Sequence, residues 1–227
     1  MNTLEQALSA PYPGRGIIIG TTPAGHACFA YFIMGRSASS RARRFFNANG
    51  DVVIKNIGGD PEHPELIFYS PVRTFGGRVI VTNGDQTDTV FDGLRLGGSF
   101  ESALRTREFE PDPPHFTSRI SGLLEPCGAY ALSILKASDG TGAHCLRQFF
   151  HYEAERGVAR FIHTYSGTEN GRLMPFMGEP VETELPELTA EELADSVWNA
   201  LNEDNKVALC ARVYGDGGFE EKMINKY

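Results

Sequence analysis

Four arginines crowd one short stretch: Arg36, Arg41, Arg43 and Arg44 lie in Gly35-Arg36-Ser37-Ala38-Ser39-Ser40-Arg41-Ala42-Arg43-Arg44. A guanidinium presents a planar fork of donors that matches phosphate or carboxylate oxygens, and serines such as Ser37 add hydroxyl donors. In a chain of net charge −8 such a cluster suits a small anionic ligand. The run reads equally well as a solvated basic loop, and taken alone it does not separate the two.

A second group is Val81-Thr82-Asn83-Gly84-Asp85-Gln86-Thr87-Asp88, where a β-branched run ends in short polar side chains with glycine at the bend. Such a corner can turn backbone amides and carboxylates toward a ligand; an ordinary turn has the same composition. Tyr69, in Phe68-Tyr69-Ser70 beside a proline, could donate to a developing oxyanion or simply fill the core. Glu108 and Glu110 lie two apart in an extended, proline-rich stretch and so point to one side. One of them, if buried, gains the raised pKa that suits a general base, whereas a solvated acidic loop is the plain alternative. The six histidines have neither H-x-x-x-H nor C-x-x-C framing, and G-x-S-x-G, G-x-G-x-x-G and P-loop elements are absent. No metal, dinucleotide or redox cofactor is expected.

The 227 residues suffice for a substantial core without disulfides, and the composition is 41% hydrophobic and 22% charged. The acidic balance argues against a nucleic-acid polymer as partner, because phosphate contacts along a strand need a basic surface. Cys28, Cys127, Cys145 and Cys210 are scattered, and the polar start from Met1 to Ala10 has no apolar leader core. No apolar run is long enough for a membrane span. A soluble cytoplasmic protein with free thiols is the expectation.

The elements that must position these groups are mostly strands. Gly14–Thr21, His26–Met34, Asp51–Asn56, Glu65–Tyr69, Arg78–Thr82, Arg119–Leu123, Ala129–Lys136, Cys145–Tyr152, Val158–Thr164 and Lys206–Tyr214 are predicted strands. The first two form a hairpin about Thr22-Pro23-Ala24-Gly25. Asp85–Leu94 reads as a helix or irregular turn, Ser99–Thr106 as a short helix, and Gly35–Arg44 and Ser166–Pro180 as loops, the former with a short helix end at most. Thr189 caps a helix with Glu191 and Glu192 in its first turn. No linker divides the chain, so residues 1–227 form one α+β domain of layered, largely antiparallel sheets.

In order and spacing, several segments between Gly14 and Ile120 together resemble the archaeal-type IMP cyclohydrolase family. They are Gly14-Arg15-Gly16, Thr21–Gly25 with the strand to Met34, Gly35-Arg36-Ser37, Phe68-Tyr69-Ser70, Val81–Asp88 and Glu108–Arg119, and the T-N-G-x-x-T-D run is the most specific. The resemblance implies a four-layer α-β-β-α sandwich of the Ntn-hydrolase-like kind, and a homo-oligomer. Met1-Asn2 precedes Thr3, so the amino-terminal nucleophile of true Ntn amidases is not expected. The implied reaction is dehydrative closure of 5-formamidoimidazole-4-carboxamide ribonucleotide (FAICAR) to IMP in purine biosynthesis, by positioning and hydrogen bonding without a cofactor. It implies Arg36 and Tyr69 as catalytic residues, with Glu108 or Glu110 handling the amide proton. Ser37, Asn83, Gly84, Asp85, Thr87 and Asp88 would border the nucleotide, and Arg15 or Arg119 would meet its phosphate. A non-catalytic purine-nucleotide-binding protein on the same fold, and an Ntn-type amidohydrolase, are the competing readings.

Overall fold

The computed structural model describes residues 1–58, 69–139 and 141–227. Its first hairpin joins β1 (Arg15–Thr21) to β2 (Ala27–Met34), paired from Arg15↔Ile33 to Thr21↔Ala27. The turn closes with Thr22 N donating to His26 O at 2.8 Å, and Gly25 adopts φ +100°. β1 is almost continuously apolar because both of its faces are covered. Ile17 and Ile19 enter one apolar cluster, and Ile18 enters another.

β1 and β2 lie inside an antiparallel six-stranded sheet with β10 (Val158–His163), β13 (Val181–Glu184), β14 (Lys206–Gly215) and β15 (Gly218–Asn225), in the order β13-β10-β1-β2-β14-β15. A seven-stranded sheet is a sequential antiparallel meander. It runs β3 (Arg43–Ala48), β4 (Asp51–Asn56), β5 (Val72–Phe75), β6 (Arg78–Thr82), β7 (Arg119–Leu124), β8 (Tyr130–Ala137) and β9 (Cys145–Tyr152). The small hairpin β11–β12 (Tyr165–Glu169, Arg172–Pro175) stands apart from both.

Three apolar clusters order the layers. Ile17, Ile19, Tyr31, Val79, Val81, Ile120 and Leu132 meet between the two sheets. Ile18, Phe32 and Leu209 pack on Leu193 and Val197 of α5 (Ala190–Ala200) and on Leu4 of α1 (Leu4–Ala7). Ile80, Leu123 and Leu135 pack on Val90 and Leu94 of α3 (Gln86–Arg95) and on Phe100 and Leu104 of α4 (Phe100–Leu104). The molecule is thus α+β with antiparallel sheets face to face and helices outside. Among the described residues no helix is long and apolar enough to cross a membrane, and no His/Cys/Asp/Glu group could hold a metal ion.

Several elements differ from the sequence expectation. Gly35–Arg44 contains a four-residue helix, α2 (Ala38–Arg41), and already enters β3 at Arg43. The segment taken as a loop after Thr164 holds β11 and β12, and β13 follows it. These strands are only four or five residues long and mix polar with apolar side chains, so no apolar alternation marks them. β15 escapes notice for a related reason: it is an edge strand with Glu220, Glu221 and Lys222 in a row and no fully buried residue. Residues 65–68 of the expected strand Glu65–Tyr69 lie outside the described residues, and Tyr69 itself follows no strand ladder.

Candidate active site

The end of the intersheet layer gathers charge. Arg15 opens β1 two residues before Ile17, so its side chain faces the other sheet with the inward isoleucines. Tyr31 of β2 shares that face and is fully buried. From the opposite side comes Tyr69, whose carbonyl accepts from Ile54 N at 3.2 Å, and the two tyrosine hydroxyls share a hydrogen bond of 2.9 Å. Arg43, 2% exposed, points inward from the start of β3 and donates to Ser40 O (2.8 Å) and Met34 O (3.3 Å).

Glu110 completes the group. It is 3% exposed, and its carboxylate stands 3.9 Å from the Arg15 guanidinium. The loop that carries it is cross-braced. Glu110 N donates to Thr117 O at 2.8 Å, Asp112 accepts from Thr117 N at 2.6 Å and also from its hydroxyl, and that hydroxyl meets Tyr165 OH at 2.5 Å.

Burial sets the protonation of these groups. It raises the Glu110 carboxyl above its ordinary range, against the pull of Arg15 and Arg119. Burial likewise raises Tyr69, opposed by Arg15 and Arg43, and raises Tyr31, reinforced by the facing Tyr69. For Arg15 burial works downward, but Glu110 and the tyrosines outweigh it and hold the guanidinium firmly protonated. Arg43 is lowered by burial and by the like charge of Arg15. The result is a buried end-chamber with two cations, two neutral phenols and one carboxyl poised to take a proton.

Arg36 stands at the rim: it is exposed, with its guanidinium 5.0 Å from the centre of the Tyr12 ring, which stacks on Tyr165 at 6.0 Å. Ser37 caps α2 by accepting from Ser40 N at 3.1 Å. Gly35 before them permits a close approach, since a Cβ there would lie 2.7 Å from the Ser40 backbone. The arginine cluster is therefore neither one anion cradle nor one solvated loop. Arg36 is exposed, Arg41 bonds Gly35 O, Arg43 is buried in the chamber, and Arg44 reaches Tyr227 O at the surface.

The corner after β6 forms the chamber's wall. Asn83 Nδ2 donates to Ser118 O (2.9 Å), while its Oδ1 accepts from Ile120 N (2.8 Å) and Gln86 Nε2 (3.0 Å). Thr82 and Thr87 share a hydroxyl bond of 2.6 Å beneath Gly84. Arg119 donates to Asp85 at 2.6 Å and Gln86 at 2.7 Å, and Arg107 also holds Asp85. Burial works to raise the Asp85 carboxyl, but the Arg107 and Arg119 contacts prevail and lower it.

Two of the expected residues lie elsewhere. Glu108 is 66% exposed beside Arg147, so the pair Glu108/Glu110 is split between solvent and chamber. Asp88 pairs with Arg73 at 2.8 Å on the helix-facing side of the seven-stranded sheet. Sequence reasoning passed over Tyr31, Thr117 and Tyr165, and did not single out Arg43 from its neighbours. Tyr31 lies in an unbroken apolar run, where a tyrosine is indistinguishable from core. The start of a strand at Arg43 was the one available signal that its side chain turns inward.

Residues 12–218 match the model of a family described as IMP cyclohydrolase-like protein. The IMP cyclohydrolase of Methanocaldococcus jannaschii is 23% identical over 213 residues, covering 92% of this chain and 96% of that protein. That of Methanococcus aeolicus is 30% identical over 124 residues, 52% of this chain and 61% of the relative. The Halobacterium salinarum enzyme is 28% identical over 130 residues, 56% of this chain and 63% of the relative. In the last two alignments this chain spans somewhat less than two thirds of the relative's length.

Proposed function

This chain belongs to the IMP cyclohydrolase-like family, and from that premise we propose that it closes the pyrimidine ring of FAICAR to give IMP. The observation that carries the reading is the buried chamber in which Glu110, Tyr69 and Tyr31 converge between Arg15 and Arg43. The reaction needs a carboxamide nitrogen, a poor nucleophile, to attack a formyl carbon. Glu110, its proton affinity raised by burial, takes one N–H proton as the C–N bond forms. Tyr69, braced by Tyr31, donates to the formyl oxygen, which becomes the hydroxyl of a carbinolamine. That hydroxyl then leaves as water, together with the proton of the former formamido nitrogen, and the ring C=N bond forms.

Arg36 at the rim polarises the formyl oxygen once ligand draws it inward. Arg15 and Arg43 hold negative charge that develops in the chamber. Ser37, Gly84 and Asp85 border the nucleotide. Asn83, Thr87 and Arg119 act by holding that border, because their polar atoms are committed to internal hydrogen bonds. Glu108 and Asp88 are given no chemical step. The sheet-on-sheet layering supports an Ntn-hydrolase-like arrangement of one domain over residues 1–227. The unpaired cysteines suit a cytoplasmic setting, and we take the working form to be a homo-oligomer, as the family resemblance implies.

The test is conversion of purified FAICAR to IMP, followed by absorbance and chromatography, with Arg36→Ala, Tyr69→Phe and Glu110→Gln beside the wild type. Turnover by the wild type that collapses in the variants supports the reading. Tight IMP binding without turnover would point instead to a nucleotide-binding protein on this fold.

A further inference from the structure

The brace beneath Glu110 has a direction. Asp112 accepts from Thr117 N at 2.6 Å and, through its other oxygen, from the Thr117 hydroxyl. A carboxylate has only acceptors, and a threonine hydroxyl carries one hydrogen. That hydrogen is committed to Asp112, so in the 2.5 Å contact between Thr117 Oγ1 and Tyr165 Oη the tyrosine is the donor. The chain therefore runs one way, from Tyr165 to Thr117 to Asp112. It turns the phenol hydrogen away from the chamber and leaves Tyr165 Oη as an acceptor.

Tyr165 is placed to use that oxygen. It is 4% exposed, opens β11 and is anchored beside Arg15. Its N donates to Pro13 O at 3.2 Å, and Thr164 N donates to Arg15 O at 3.0 Å. Its ring stacks on Tyr12, which carries the Arg36 guanidinium, so the residue links the rim to the brace of Glu110. Burial raises its pKa against the pull of Arg15 and Thr117, and Glu110 and Asp112 add to the rise. The phenol thus stays neutral and keeps the hydrogen that it gives to Thr117.

We infer that Tyr165 Oη accepts the carboxamide N–H that Glu110 does not take, and that Asp112, acting through Thr117, is the positioning residue that fixes it as an acceptor. This rests on the cyclohydrolase reading above. A carboxamide nitrogen carries two hydrogens. One goes to Glu110 as the C–N bond forms, and the other stays on the ring nitrogen of IMP. That nitrogen gains positive charge as it attacks, so the retained N–H bonds Tyr165 more strongly in the transition state than in the substrate. No proton travels along the chain; Asp112 sets its polarity.

Asp112→Asn tests the direction with almost no change of shape. Asparagine still accepts from Thr117 N through its carbonyl, but its NH2 donates to Thr117 Oγ1. The Thr117 hydrogen then turns to Tyr165, and the phenol hydrogen turns into the chamber. There it opposes the N1–H of IMP and suits the bare N1 of AMP. On the full chain, kcat with FAICAR should fall about 10-fold in both Asp112→Asn and Tyr165→Phe. The ratio of IMP to AMP affinity, read by titration calorimetry, should fall about 10-fold in Asp112→Asn. Thr117→Val frees the phenol to rotate and should shrink that ratio by a smaller factor; it carries the test if Asp112→Asn does not fold. A ratio unchanged in these variants, whatever happens to kcat, overturns the inference while the cyclohydrolase reading stands. A wild type that neither converts FAICAR nor binds IMP overturns both.

Discussion

At the scale of single residues, the chamber separates two glutamates that are neighbours in sequence. Burial raises the Glu110 carboxyl, while Glu108 lies in water beside Arg147. Glu110→Gln should therefore lower kcat by roughly 100-fold or more, the scale of a lost general base, and Glu108→Gln should stay within a few-fold. The pH dependence follows from the same difference. A base must be deprotonated, so kcat/KM falls as pH drops through the Glu110 pKa, and that limb lies above the ordinary carboxylate value of 4.5. A pH–rate profile whose acid limb survives in Glu110→Gln would remove Glu110 from the role. Tyr69→Phe takes a hydrogen off the reacting oxygen and leaves the Tyr31 hydroxyl without its partner. Its cost should appear in kcat, with a stability loss of about 1 kcal/mol in urea titration.

At the scale of elements, two pieces with similar local signals do different work. The corner after β6 is held by Asn83, which bonds Ser118 O, Ile120 N and Gln86. Asn83→Ala strands several buried groups and should cost about 3 kcal/mol in chemical denaturation, with loss of activity because β7 and Arg119 lose their register. α5 lies on the far side of the six-stranded sheet. Its capping box, with Thr189 Oγ1 accepting from Glu192 N at 3.2 Å, stabilises the helix alone. Thr189→Ala should cost about 1 kcal/mol and leave the turnover rate unchanged. Equal loss of activity in the two variants would mean that the site depends on overall stability and not on the corner.

At the scale of the whole molecule, the site exists only because two sheets close over charged side chains. His163, at the end of β10, shows what that closure imposes. It is wedged between Phe161 and Phe176, with ring centres at 4.7 and 4.4 Å, and burial lowers its pKa from 6.5 to about 4. The unfolded chain therefore binds this proton first. The contribution is whole above pH 6.5 and declines as pH falls toward 4, by about 3 kcal/mol in all. Unfolding free energies measured across that range should show this slope, and His163→Phe should flatten it even though the bond to Tyr165 O is lost.

Local chemistry was legible in the chain itself. Apolar runs bounded by glycine marked β1, β2 and β6, Thr189 with its acidic turn marked α5, and the T-N-G-x-x-T-D run marked a polar corner, because each signal lies within a few adjacent residues. The antiparallel α+β character followed from the number and spacing of such runs, and the family from their order. What the tertiary structure alone decided was burial. Tyr31 and Tyr69 are 38 positions apart and share a hydroxyl bond; Arg15 meets Glu110, and Lys136 meets Phe176, across gaps that no local pattern encodes. Of four arginines in one basic run, only Arg43 turns inward, because β3 begins there and strand alternation sets its direction. Residue type states what chemistry a side chain can do; the facing of the two sheets decides which side chains leave water and therefore which of them do it.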